Sequence, residues 1–138
     1  MDNQIIDLLR AASRHFQTQM KEKIALSDTG LSTFQAQLIN LIGRQDGISQ
    51  QRLIALTERD KAQVTRAMND LEAAGFIIRS PHPMDKRAKC LTLTPTGLKI
   101  HHQLKEIRQQ LATEVLGHLP PTEKQALQTL LSKVINQA

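Results

Sequence analysis

Residues 60–97 read DKAQVTRAMNDLEAAGFIIRSPHPMDKRAKCLTLTPTG, and the spacing of apolar positions changes partway along. Val64, Met68 and Leu71 recur at helical intervals, so 60–74 is expected to be a helix buried along that stripe. Asp60 and Gln63 stand at capping-box spacing, and Gly75 stands where a helix ends in a left-handed residue. Phe76–Arg79 and Cys90–Thr94 then read as two short strands. Pro81, Pro83 and the run MDKRAK separate them, so the pair is expected to be a β-hairpin with a long, basic tip. Thr94 followed by Pro95 opens another helix, with Thr94 as N-cap and proline at a first position that needs no N–H.

The flanks are helical. Upstream, Ile5, Leu9, Ala12, Phe16 and Met20 mark an amphipathic helix over 3–26. A second helix over 32–42 starts at the cap Ser32 and carries Phe34, Leu38, Leu41 and Ile42, after which Gly43 and Gly47 are expected to bracket a turn. A short helix over 49–56 is capped by Ser49 and faces inward through Leu53, Ile54 and Leu56. Downstream of Pro95 runs a long helix with Leu98, His101, Leu104, Ile107, Leu111 and Val115. After Pro120-Pro121, Thr122 begins a last helix with Leu127, Leu130, Leu131, Val134 and Ile135. The expected fold class is mainly α with a small β-hairpin, in one domain over 1–138 without internal repeats or a linker.

Charge is unevenly spread. The 138 residues carry 18 Lys and Arg against 13 Asp and Glu, a net +5. Residues 1–30 balance at four and four, 31–94 carry nine basic and six acidic groups, and 95–138 carry five and three. Within 79–89 the count is four against one, so the excess concentrates at the hairpin and favours an anionic partner. A single cysteine excludes an internal disulfide and a cysteine-rich zinc site. No apolar run reaches the roughly 18 residues of a membrane span, and the acids at 2 and 7 argue against a secretory signal. A cytoplasmic protein is therefore expected. The absence of Tyr and Trp weakens any single-strand stacking platform.

Two short helices joined by a tight turn and followed by a hairpin describe a winged helix-turn-helix. Such a second helix fits the major groove of duplex DNA, and a basic hairpin tip reaches an adjacent minor groove. With about 100° per residue, Ala62, Arg66, Asn69 and Ala73 fall opposite Val64, with Gln63 and Thr65 on the flanks and Lys61 at the N-terminal edge. Arg66 suits guanine, and Gln63 or Asn69 suits adenine. An ordinary solvated face would show a similar pattern; the basic tip shifts the balance toward DNA.

Residues 48–97 resemble the MarR (multiple antibiotic resistance regulator) family through ISQQRL at 48–53, DKAQVTRAMNDLEAAGFIIR at 60–79 and DKRAKCLTLTPTG at 85–97. The last stretch keeps an acid-x-Arg wing and a Leu-Thr-x-x-Gly opening of the next helix. The resemblance implies a homodimeric DNA-binding transcriptional regulator, a repressor. Its winged-helix region would span 31–94, with dimerisation helices over 1–30 and 95–138. Asp85 and Arg87 match the wing pair, the acid orienting the arginine for the minor groove, with Lys86 and Lys89 beside them. Lys61, Ala62, Gln63, Thr65, Arg66 and Asn69 make up the reading helix. Ser49 and Gln50 match the start of the preceding helix, whose N–H groups hold a phosphate. Leu9, Phe16, Leu104, Leu111, Leu127 and Leu131 are expected between subunits. Ile54, where a small residue is usual, and Thr57-Glu58-Arg59 depart from the pattern. A small-molecule effector between the dimer and reading regions is also implied, aromatic acids and phenols being common, though no Tyr or Trp is present to line its pocket.

Cys90 lies near Lys86, Arg87 and Lys89, which admits a redox role as well as simple packing. His15, His82, His101, His102 and His118 do not pair with acids at ligand spacing, so no metal or cofactor is expected. No Walker, HExxH, G-x-S-x-G or dinucleotide loop occurs, so no enzyme is expected. Because winged helices also bind proteins, a protein-interaction module is the alternative, and a steep fall of duplex affinity with salt discriminates against it.

Overall fold

Capping chemistry sets most of the boundaries. The computed structural model describes residues 1–136; residues 137–138, at the end of the region 95–138, lie outside the described residues. The helices are α1 (Asp2–Leu26), α2 (Thr33–Arg44), α3 (Gln50–Thr57), α4 (Lys61–Ala73), α5 (Pro95–Val115) and α6 (Pro121–Ile135). Ser32 forms a full capping box with Gln35, and Thr94 Oγ1 accepts from Gly97 N–H at 3.0 Å. At α4, Asp60 accepts from Ala62 N–H at 3.2 Å, so the expected Asp60–Gln63 box is replaced by a single bond. The last helix starts one residue before Thr122, with Pro121 at its first position and Pro120 as N-cap.

The hairpin has a third strand. β1 (Ile48–Ser49), β2 (Ile77–Pro81) and β3 (Lys89–Leu93) form an antiparallel sheet in the order β1-β3-β2. Ile48 pairs with Leu91 and Ser49 with Cys90, while Ile77 pairs with Leu93 and Pro81 with Lys89. Two residues are too few to show an alternating period, which is why β1 escaped the sequence reading. Gly47 supplies the positive φ of +80° that turns the chain into β1. Gly43, expected in a turn, is helical and lies in α2.

The core gathers Leu38, Ile39 and Ile42 of α2 with Leu53, Val64, Met68 and Leu71 and the strand residues Ile48, Ile77 and Leu91, all buried. Each such side chain contributes about 1.5–3 kcal/mol of burial. Ile24, Ile100 and Leu104 extend this core to α1 and α5, and Ile54 packs half-buried against it. Leu104 and Leu111 were expected between subunits, yet they are only 4% and 1% exposed within one chain. The apolar stripe was right, but its cover is this chain's own helices. By contrast α6 buries no residue, and Leu130 and Ile135 are 59% and 78% exposed, as is much of Ile5, Ile6 and Leu8 on α1. No helix among the described residues is long and apolar enough to cross a membrane.

Candidate nucleic-acid interface

The turn from α3 to α4 sets how the second helix is presented. Glu58 closes α3 in the left-handed region at φ 54°, and Thr57 Oγ1 donates to Ile54 O at 2.8 Å. The guanidinium of Arg59 then lies 4.3 Å over the Phe34 ring, tying the turn to α2. The departures Thr57-Glu58-Arg59 thus build a compact turn of their own.

With Val64, Ala67, Met68 and Leu71 buried, α4 turns Lys61, Ala62, Gln63, Arg66 and Asn69 outward, and Thr65 is half-buried at the edge. Lys61, Ala62, Thr65, Arg66 and Asn69 line a shallow depression along this face, with the cap Asp60 at its end; Gln63 stands outside it. Asn69 stands outward, opposite Val64 as expected, and its Oδ1 accepts a hydrogen bond from Arg79 Nη2 of β2. The same nitrogen lies 3.4 Å from Glu72 Oε1. This clamp spans a helix and a strand and left no local signal in the sequence.

At the start of α3 the Ser49 side chain caps the helix. Ser49 Oγ accepts from Arg52 N–H at 3.1 Å, and Gln50 Oε1 is buried without a partner. What α3 can offer a phosphate is its unbonded first-turn N–H groups.

The wing is shaped by its acid. Asp85 Oδ1 accepts from Arg87 N–H and Asp85 O from Ala88 N–H, both at 3.0 Å, while His82 N–H donates to Ala88 O at 2.9 Å. His82 Nδ1 further accepts from Met84 N–H at 3.0 Å. The carboxylate therefore orders the backbone of the tip, and the exposed side chains of Lys86, Arg87 and Lys89 make no ion pair among the described residues. Cys90 is buried in the central strand. Its place is that of a packing residue.

A cavity of about 910 Å³ lies between α1, α2 and α5. Its floor includes Phe16, Met20, Ile24 and Leu104; Lys21, Arg44, Arg59, Lys105 and Arg108 stand around it, and no carboxylate lines it. His101 also faces it, buried, with Nδ1 lacking a partner. Burial pushes the His101 imidazole below the usual histidine value, helped by the neighbouring Lys105, His102 and Arg44. Among the described residues no His, Cys, Asp and Glu cluster is placed to hold a metal ion.

Comparison with known proteins places this geometry. A model of the MarR family matches residues 29–88, the stretch from the turn before α2 to the wing tip. The multiple antibiotic resistance protein MarR of Escherichia coli is 29% identical over 137 residues, covering 96% of this chain and 94% of that one. The crystal structure of its C80S mutant complexed with operator DNA superposes with a TM-score of 0.75 at 26% identity, covering 97% of both chains. A transcriptional regulatory protein proposed for the hcr operon of Thauera aromatica is 26% identical over 72% of this chain, and the match spans 60% of that relative's length. With residues 29–88 matched by the family model and the fold shared over nearly the whole chain, the chain belongs to the MarR family.

Proposed function

We propose that this chain is a sequence-specific, double-stranded-DNA-binding transcriptional regulator, a cytoplasmic repressor that acts as a homodimer. The observation that carries this is the pairing of α4's polar, outward face, with Lys61 and Arg66 exposed, with a wing whose Lys86, Arg87 and Lys89 make no ion pair among the described residues. Solvated cations need no partner, but an excess of one sign on the second helix and on a hairpin tip is the electrostatic footprint of a protein that binds an anion. The winged-helix region 31–94 is the reader. The helical regions 1–30 and 95–138 are the dimerisation region, because the exposed apolar residues of α1 and α6 need a cover. Two-fold symmetry then sets two half-sites about one helical turn apart on a pseudo-palindrome. The role is one of binding rather than catalysis.

Selection of duplexes from a random pool by the purified chain tests this. A pseudo-palindromic consensus is expected, bound with an affinity that falls steeply with salt. Arg66→Ala is expected to lose about 1–3 kcal/mol and relax the consensus. No duplex binding even at low salt would overturn the reading in favour of a protein-interaction module. Sedimentation tests the dimer: Leu130→Asp on α6 is expected to give monomers, and an unchanged dimer would place the interface elsewhere.

The cavity between α1, α2 and α5 supports a second element, an anionic small-molecule effector. Its apolar floor and acid-free cationic rim suit a carboxylate on an apolar body, and Arg59 in the rim also belongs to the turn that presents α4. A ligand that binds better when Arg59 leaves Phe34 would shift the reading helices. Benzoate and hexanoate serve as probes: release of the selected duplex, lost in Arg108→Ala, is the expected result.

A further inference from the structure

The clamp between β2 and α4 has a consequence for base recognition. On β2 the side chains alternate, so Arg79 shares the inward side with the buried Ile77 and comes under α4. There its side chain is only 17% exposed, and Nη2 meets both Asn69 Oδ1 and Glu72 Oε1. Arginine has donors and no acceptor, so a carboxamide facing it must present its oxygen. The Asn69 amide is therefore oriented, with Oδ1 turned to Arg79 and the NH2 group left for the outer face.

Two-point reading of adenine by asparagine needs both ends of the amide, the oxygen to accept from N6 and the NH2 to donate to N7. That oxygen keeps a second lone pair, but it is turned inward to Arg79 under α4, so the NH2 group is the end of the amide that the outer face presents. We propose that Asn69 reads a purine N7 as a donor alone, accepting adenine and guanine alike, and that Arg79 is the positioning residue that fixes this. The inference rests on the DNA-binding function proposed above and narrows what one of its contacts can distinguish. It also replaces the adenine specificity expected of Asn69 from its residue type.

The test uses the full chain and the duplex selected from the random pool. Asn69→Ala locates the contacted base pair as the position whose preference it erases. There the parent chain is expected to accept adenine or guanine within about twofold, and replacing the purine with its 7-deaza analogue is expected to weaken binding about fivefold, one hydrogen bond's worth. Removing the N6 amino group of adenine should leave affinity unchanged. Arg79→Met frees the oxygen and should narrow the preference to adenine by about tenfold, a change of base choice that mere loss of stability does not produce. Glu72→Gln, which leaves the Arg79–Asn69 bond in place, should keep the parent's preference. A parent chain that demands adenine, ignores 7-deaza substitution or shows no Asn69-dependent position overturns the inference while leaving DNA binding intact. A parent chain that binds no duplex overturns the function beneath it.

Discussion

Gly43 of α2 faces the imidazole of His101 of α5 so closely that a Cβ at residue 43 would stand 2.6 Å from Nε2, with Cδ2 and Cε1 at 2.7 Å. The missing side chain is what lets the reading region and the long helix approach. Gly43→Ala should therefore destabilise by about 1–3 kcal/mol through overpacking, although alanine favours an α-helix by about 1 kcal/mol. With His101→Ala the ring is gone, and the same change at residue 43 should become neutral or stabilising. Urea unfolding of the four proteins of this cycle measures the reversal, and additive effects would refute the contact.

The same histidine should make stability depend on pH. Its folded-state pKa lies below the ordinary histidine value of 6.5, so as pH falls through 6.5 the unfolded chain binds the proton first. Stability is whole above about pH 6.5 and declines from there down to the folded pKa, below which the loss is complete. Lys105, His102 and Arg44 keep the proton off, in addition to burial. The difference in urea midpoint between the parent and His101→Leu should shrink or reverse between pH 7.5 and the acid side of about 6. A constant difference would show that the ring takes up its proton as readily in the folded chain as in the unfolded one.

Gly97 fits even more tightly, since a Cβ there would meet Phe76 O at 2.1 Å. That carbonyl cannot retreat, because it accepts from Thr94 N–H at 3.1 Å, and Thr94 Oγ1 in turn donates to Gly75 O at 2.6 Å and accepts from Gly97 N–H at 3.0 Å. The Thr94-x-x-Gly97 spacing thus fastens the start of α5 to the turn between α4 and β2. Gly97→Ala should cost about 3 kcal/mol or more, as overpacking against backbone offers no soft direction. Thermal unfolding checks this, and a midpoint within a degree or two of the parent's would contradict the packing.

That motif explains why so much of the fold was legible. Thr94, Ser32 and Ser49 announce helix starts through local hydrogen bonds, and the stripe Val64, Met68, Leu71 states its own buried face. What escaped were relations between distant residues. Gly43 read as a turn because glycine breaks helices, whereas here it serves a contact with a residue on another helix. Leu104 and Leu111 showed that a side is covered but not by which element. At the interface the outward face of α4 followed from periodicity alone. The Arg79–Asn69 clamp did not, because strand and helix patterns meet there only after folding.

The wing separates charge from shape. Asp85 acts through its backbone contacts, accepting from Arg87 N–H, while the exposed Arg87 side chain makes no ion pair among the described residues. Arg87→Ala should weaken duplex binding and reduce the slope of log affinity against log salt by about one for each wing, since one fewer cation displaces counterions. Asp85→Ala removes a negative charge from the tip but also unties it. If shape dominates, affinity falls while the slope stays near the parent's, because every cation is still present. Anisotropy titrations between about 50 and 200 mM salt distinguish the two signatures. An Arg87→Ala protein with the parent's slope would remove the wing from the interface, whatever its affinity.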